Sequence, residues 1–190
     1  MRKPMLILVL KACIKRGLKL EACAAALAYI FALRVPSELL RQTEARHFSI
    51  SANRIRYGPI CRKSSVTMVS LTRHCTCAAC PLLCPHPWVA YLYKHAPRGK
   101  CFNFTASMLM LALRPALLES GIREDELSEW TSHCFRRGSG VDVLRQHGVQ
   151  AMLNHGGWSS AHAAEPYASA DEQFAQGLSH PAIDFSDDDT

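Results

Sequence analysis

No stretch of this sequence approaches the about 18 consecutive apolar residues that a bilayer-spanning helix needs, which excludes a helical membrane protein. The opening MRKPMLILVLKACIKR has a basic start, but its apolar run is short, meets Lys11, Lys15 and Arg16 at once and lacks a small-residue cleavage site. It is therefore not read as a secretory leader. Internal repeats and low-complexity segments are absent, so solenoids and arrays drop out. Charged residues make up 20% against 48% apolar, a balance that excludes a disordered chain. Nine cysteines is an odd number, and without a leader they are expected to be reduced thiols. The expected compartment is intracellular, the nucleus in a eukaryote and the cytoplasm otherwise.

What remains is one domain's worth of chain. At 190 residues it is long enough to bury a sizeable core. The formal charge is +6, with nine histidines in reserve, and acidic residues collect at the end in Asp184–Thr190 (DFSDDDT). Residues 1–176 are read as the catalytic domain, with its core at about 20–170, and 177–190 as an acidic tail expected to be mobile. The body is more basic than the total, which suits a polyanionic partner.

Residues Pro4–Ile14 and Leu20–Leu33 read as helices, the second apolar almost all round and so expected to be buried. It runs into LRVPSELL, where Pro36 discourages helix at Val35 but favours a new helix start. Arg34 therefore stands at a helix–helix junction, either paired with Glu38 or held rigidly for an anion. The alternating residues of Phe48–Ser51 and Arg54–Tyr57, and the β-branched run Ser65–Leu71, predict a small three-stranded antiparallel sheet. Trp88–His95 and Phe104–Ser120 read as helices, the latter kinked or broken at Pro115 and closed by Gly121. The expected fold class is mainly α with this one small sheet (α+β).

Cys75, Cys77, Cys80, Cys84 and His86 crowd into twelve residues, with Pro81, Pro85 and Pro87 pointing to irregular backbone. Thiolate and imidazole are the preferred ligands of zinc, and a tetrahedral site needs four, for which Cys75, Cys77, Cys84 and His86 are the candidates. The spacing does not match a paired knuckle, so a structural zinc stands beside a metal-free cysteine-rich loop.

The densest chemistry lies in Thr131–Tyr167. His133 and Arg136 are spaced H-x-x-R, Gly156-Gly157-Trp158 follows, and Tyr167 comes nine residues after the tryptophan. Arginine forks bind two phosphate oxygens and never deprotonate. A tyrosine hydroxyl can hold a phosphate covalently, and lysine or histidine can move the protons. Singly, each residue has an ordinary explanation: a surface hydrogen-bonding pair, a helix stop, a core tryptophan, a core tyrosine. Together with Arg34 and Lys63, and in this order, they resemble the catalytic domain of the tyrosine recombinases, or phage integrases. The pieces are L-R-V-P-S-E-L-L, the strand-turn Lys63, H-C-F-R-R-G at His133–Gly138, and G-G-W-S-S followed by Tyr167. The tryptophan is similar to the Cre branch of that family, and the cysteine cluster resembles members from eukaryotic mobile elements. The resemblance covers roughly Leu20–Tyr167.

The resemblance implies the integrase catalytic-core fold and site-specific cleavage and rejoining of double-stranded DNA, that is, recombination or integration. Arg34 and Arg136 would clamp the scissile phosphate, His133 would bond it and assist proton transfer, and Lys63 would be the general acid, with Lys100 a second lysine in a basic loop. Trp158 would buttress the site and Tyr167 would form the 3′-phosphotyrosine link, with no metal or nucleotide cofactor required. Self-association on DNA is implied, and the family's N-terminal DNA-clamp domain is expected to be absent. Arg54, Arg56, Arg62, Arg73, Lys100 and Arg137 are the expected DNA contacts through phosphate charge. A non-catalytic DNA-binding or zinc-organised module built on the same domain is the alternative. His155 is read as a polar residue at a helix end, outside the site.

Overall fold

A computed structural model describes residues 1–61 and 68–158. It is mainly helical with a three-stranded antiparallel sheet of order β1-β2-β3. Helix α1 (Lys3–Lys15) and α2 (Lys19–Ile30) open the chain. A π-helical turn at Val35–Leu40 follows, then β1 (Phe48–Ser51), β2 (Arg54–Ile60) and β3 (Val69–His74). Helices α3 (Pro85–His95), α4 (Ala106–Glu119) and α5 (Cys134–Gly156), the last interrupted by a kink at Gly148 (φ 80°), complete the described chain.

The middle element is α2. Every residue from Ala22 to Ile30 is buried, and α1, α3, α4 and α5 all pack on it. Five of those residues, Ala22, Ala24, Ala25, Ala26 and Ala28, carry no more than a methyl group, so neighbouring helices can come close on every side. Arg16 and Gly17, the latter at φ 78°, make the turn between α1 and α2, as the polar interruption there implies. The sheet turns Ile55, Tyr57 and Ile60 inward and Arg54 and Arg56 outward, the alternation of a half-buried strand. Tyr57 stacks on Phe48 with ring centroids 4.6 Å apart and meets Phe31 edge-on at 5.5 Å, joining the sheet to the end of α2. Each such pair contributes about 0.5–1.5 kcal/mol beyond its buried area.

Two proline expectations are corrected. Pro115 does not break its helix: α4 runs through it to Glu119, and Ser120 and Gly121 close it, the glycine at φ 95°. An interior proline costs about 3 kcal/mol. Leu113, Ala116 and Leu117 are buried on either side of it, and each buried leucine returns about 1.5–3 kcal/mol, enough to hold one helix together. Pro85 and Pro87 likewise do not mark irregular backbone. They sit in the first turn of α3, where a missing N–H has no helical partner to lose, so the helix starts earlier than Trp88. The expectation of strand from Ser65 falls partly outside the described residues; β3 runs from Val69 and continues past Leu71 to His74.

Beneath α5, Asp142 accepts from Arg2 Nε at 2.6 Å, from the Lys3 N–H at 2.7 Å and from the Tyr29 hydroxyl. Burial, and then the hydrogen bond to Asp142, push the Tyr29 phenol far above its ordinary value of 10.0. A raised folded-state pKa means that the folded chain holds the proton more tightly. The associated stability is complete below about pH 10 and declines as pH rises beyond it. Tyr29→Phe is therefore expected to be less stable near neutrality yet to lose less stability than the native chain between about pH 9 and pH 11, as read from urea midpoints. Equal alkaline slopes for the two proteins would remove Tyr29 from the account.

Candidate active site

The site grows out of the end of α2. Ala32 turns the chain at φ 50°, an unfavourable backbone for a residue with a side chain. This directs its carbonyl toward α5, where Arg136 Nη1 donates to it at 2.8 Å. Arg34 then caps the π-helical turn, its carbonyl accepting from the Glu38 and Leu39 N–H groups at 3.0 and 3.1 Å. Pro36 at the front of this turn and the wide i→i+5 bond from Leu39 bring Glu38 inward, where it is 1% exposed.

Glu38 Oε2 accepts from the backbone N–H of Arg34 at 3.1 Å and from Arg136 Nη1 at 3.5 Å. One carboxylate thus ties the Arg34 junction to a helix 98 positions away in sequence. The expected Arg34–Glu38 pairing exists, but through the Arg34 main chain; the guanidinium that meets Glu38 belongs to Arg136. Arg34 as a residue is half-buried. Behind Glu38, the Tyr57 hydroxyl donates to the Glu38 carbonyl at 3.2 Å and lies 2.6 Å from Thr43 Oγ1, both residues being fully buried.

Arg136 is 3% exposed. Its Nη2 donates to the Gly156 carbonyl at 2.9 Å, and its guanidinium lies 4.8 Å from the centroid of the Trp158 ring. The planar fork therefore bridges the end of α2 to the end of α5 and is covered by an indole, an arrangement lysine could not reproduce. His133 caps α5 half-buried, its carbonyl accepting from the Arg137 N–H at 3.0 Å. Of the expected reacting residues, Arg136 and Trp158 meet at this centre, Arg34 joins it through its main-chain N–H, and His133 stands one helical turn before Arg136. Lys63 and Tyr167 lie outside the described residues, as does Arg62.

The two glycines before Trp158 have separate roles. Gly157 ends α5 in the left-handed region at φ 64°, with the Trp158 N–H returning to the Leu153 carbonyl at 3.0 Å. Gly156 makes room for the indole: a Cβ there would lie 1.7 Å from the Trp158 ring. Gly140, one turn beyond Arg136, leaves space for the same ring, with a Cβ meeting it at 2.9 Å. Gly156→Ala is expected to eject Trp158 from its stack on Arg136, lower stability by about 1–3 kcal/mol and raise tryptophan quenching by acrylamide. Unchanged quenching would show that the indole is not held by this contact.

The basic residues divide. Arg54 and Arg56 are exposed on the outer face of the sheet, and Arg56 Nη2 lies 3.2 Å from Ser70 Oγ. Lys100 is exposed beside its bridge to Glu44, and Arg137 is half-buried at the start of α5. Arg73 differs from the expected DNA contact. It pairs across from Ile55 on the inner side of the sheet, and its guanidinium donates to the carbonyls of Ile30 at 2.7 Å and His155 at 3.0 Å, 5.5 Å from the Phe31 ring. Strand alternation decides this, because Thr72 takes the outward place that Arg73 would need. His155 is also more than a polar helix end: its Nε2 lies 2.7 Å from Ser139 Oγ. Glu38, Arg73 and His155 thus belong to the framework of the arginine centre. Only Glu38 had a sequence signal, its one-turn spacing from Arg34.

A second cluster sits at the far end of β3. Sγ of Cys75, Cys77 and Cys84 lie within 4.8 Å of one another, close enough to hold a metal ion. Burial raises the Cys84 pKa, but hydrogen bonds from the Cys77 thiol, the Thr76 N–H and His86 lower it further, to about 6. The Cys77 thiol is pushed up to about 12 by its hydrogen bonds with Cys84 and Cys75. Sulfur charge thus concentrates on the buried Cys84.

No protein-family model matches this chain, and neither a curated protein nor a solved structure matches it at a significant level. Among the described residues no helix is long and apolar enough to cross a membrane.

Proposed function

We propose that the chain is the catalytic domain of a tyrosine-type DNA strand-transfer enzyme, of integrase catalytic-core fold, that cuts and rejoins double-stranded DNA through a 3′-phosphotyrosine. The observation that carries this reading is the convergence on Glu38 Oε2 of the Arg34 main chain and the Arg136 guanidinium, with Trp158 stacked on the latter. These are residues of three separate segments whose types suit phosphate chemistry and whose order resembles that of the tyrosine recombinases.

In the proposed step the Tyr167 oxygen attacks the scissile phosphorus, a P–O bond to tyrosine forms, and the bond to the 5′ oxygen breaks. His133 takes the phenolic proton and the Lys63 ammonium gives one to the departing 5′ oxygen, so charge and protons balance. The two arginines neutralise the oxygens that gain charge in the transition state. Attack by a 5′ hydroxyl of another strand reverses the sequence and rejoins DNA without an external energy source. The exposed Arg54 and Arg56 and the loop at Lys100 offer the backbone its cations, and exchange of strands implies several copies on one DNA. The cysteine cluster lies outside this chemistry, and a metal held there is structural.

A second reading is a non-catalytic DNA-binding module. It is favoured by Arg136, whose guanidinium is nearly inaccessible and bonds two backbone carbonyls. A nicked suicide DNA duplex separates the two readings: strand transfer traps a covalent protein–DNA band on a denaturing gel. DNA retardation with no covalent band on any of a randomised pool of duplexes would establish the binding module instead.

A further inference from the structure

We propose that Cys75, Cys77, Cys84 and Nδ1 of His86 form a tetrahedral zinc centre that fastens the end of the sheet to the start of α3. Zinc–sulfur bonds of about 2.3 Å place tetrahedral sulfurs about 3.8 Å apart. Cys75 Sγ is 3.7 Å and Cys77 Sγ 3.1 Å from Cys84 Sγ, which also lies 3.7 Å from His86 Nδ1. The three sulfurs therefore form one close group around the buried Cys84, and His86 Nδ1 approaches that group through Cys84.

The imidazole supplies an independent observation. His86 Nε2 lies 3.1 Å from the Ser51 carbonyl, which can only accept, so Nε2 carries the proton and Nδ1 offers its lone pair toward the sulfurs. A backbone carbonyl on the remote nitrogen is the usual support of a metal-bound histidine. The Thr76 N–H points at Cys84 Sγ at 3.4 Å and stabilises negative sulfur. Cys80 stays outside the group of converging thiols although its spacing to Cys84 is the more familiar one. Three thiolates and one imidazole in tetrahedral arrangement select zinc among the common divalent ions.

Binding exchanges protons for metal. The three thiols release those they carry, the histidine enters neutral, and the centre has a net charge of −1. Its place in the fold explains its use. The Cys75 N–H bonds the Asn53 carbonyl at 2.7 Å in the β1–β2 turn, His86 bonds Ser51 at the end of β1, and Cys84 caps α3. One ion thus links the β1–β2 turn and the adjoining end of β3 to a helix packed on α2. The proposal does not depend on the strand-transfer reading.

The test is metal content of the full chain purified under reducing agent and reconstituted with zinc chloride. One zinc per chain is expected, with intense visible bands of tetrahedral thiolate-bound cobalt(II) after exchange. Cys84→Ser is expected to lose the metal, while Cys80→Ser retains one equivalent. His86→Ala is expected to bind at least as weakly as the about 10–100-fold loss that disturbing a ligand's support alone causes. Because Cys84→Ser could unfold, the native chain is also titrated with a chelator, and a reversible fall in Tm is expected. Substoichiometric zinc after reconstitution, an octahedral cobalt spectrum, a Tm indifferent to the chelator, or equal metal loss in Cys80→Ser would each overturn the centre. Failure here leaves the DNA adduct experiment unaffected, and failure there leaves this one unaffected.

Discussion

Tyr167→Phe is expected to remove the covalent protein–DNA band entirely while leaving DNA retardation and Tm as in the native chain. The substitution deletes one oxygen and no charge. Phosphate contacts from arginine and lysine, which dominate DNA affinity, are thereby preserved. Loss of a covalent nucleophile costs on the order of 10⁶-fold, far beyond what a gel resolves, so the expected outcome is absence of the band. Under the strand-transfer reading, water attack on the scissile phosphate would leave free ends and no adduct. A band of native intensity in Tyr167→Phe would assign the nucleophile to another residue and remove Tyr167 from the mechanism.

Replacing Arg136 is expected to have the largest effect on the fold. Arg136→Ala removes the Arg136 guanidinium from the carboxylate of Glu38, 1% exposed, and strips donors from the Ala32 and Gly156 carbonyls. Breaking a buried pair from one side costs about 3–5 kcal/mol. At roughly 2–4 °C per kcal/mol for a chain of this size, Tm falls by about 6–20 °C. Arg136→Lys keeps the charge but replaces a planar fork by a single point donor, so it recovers only part of the loss. The double variant Glu38→Gln with Arg136→Met removes both charges together and is expected to be more stable than Arg136→Ala alone. Equal Tm for native and Arg136→Ala proteins would contradict the buried role.

The same series separates the two functional readings. Under the strand-transfer reading Arg136→Lys, assayed well below its Tm, forms far less adduct than its retained fold would allow. Under the binding-module reading it changes Tm alone, with no adduct in any variant. Arg34 gives the complementary contrast. Arg34 is half-buried and its structural bond to Glu38 runs through the main chain, so a side-chain substitution there spares the fold.

Local periodicity was enough to locate most elements. The all-round apolar run of α2, the alternation in Arg54–Tyr57 and the glycine after α4 correspond to the buried helix, the half-buried strand and the helix end. Those signals are written in neighbouring residues, because helix and strand periods and turn conformations are set within a few positions. Proline misled where its position within a helix mattered. Pro85 and Pro87 fall in a first turn and Pro115 on an exposed face, and only packing on either side decides whether a helix tolerates it.

The candidate cysteine ligands and the Arg34–Glu38 spacing were also legible, since one chemistry crowded into a short segment survives without coordinates. Which guanidinium meets which acceptor was not. Arg54, Arg56 and Arg73 carry the same group on neighbouring strands, yet the first two face outward while the third binds the Ile30 and His155 carbonyls. The resemblance thus pointed to phosphate chemistry, and the crowded cysteines to a sulfur-rich ligand set. The tertiary structure alone decided that Arg136 is the buried tie between α2 and α5, because its acceptors are backbone carbonyls. A carbonyl has no residue identity to read, and the two are brought together only when Ala32 turns at the end of α2 and α5 closes at Gly156.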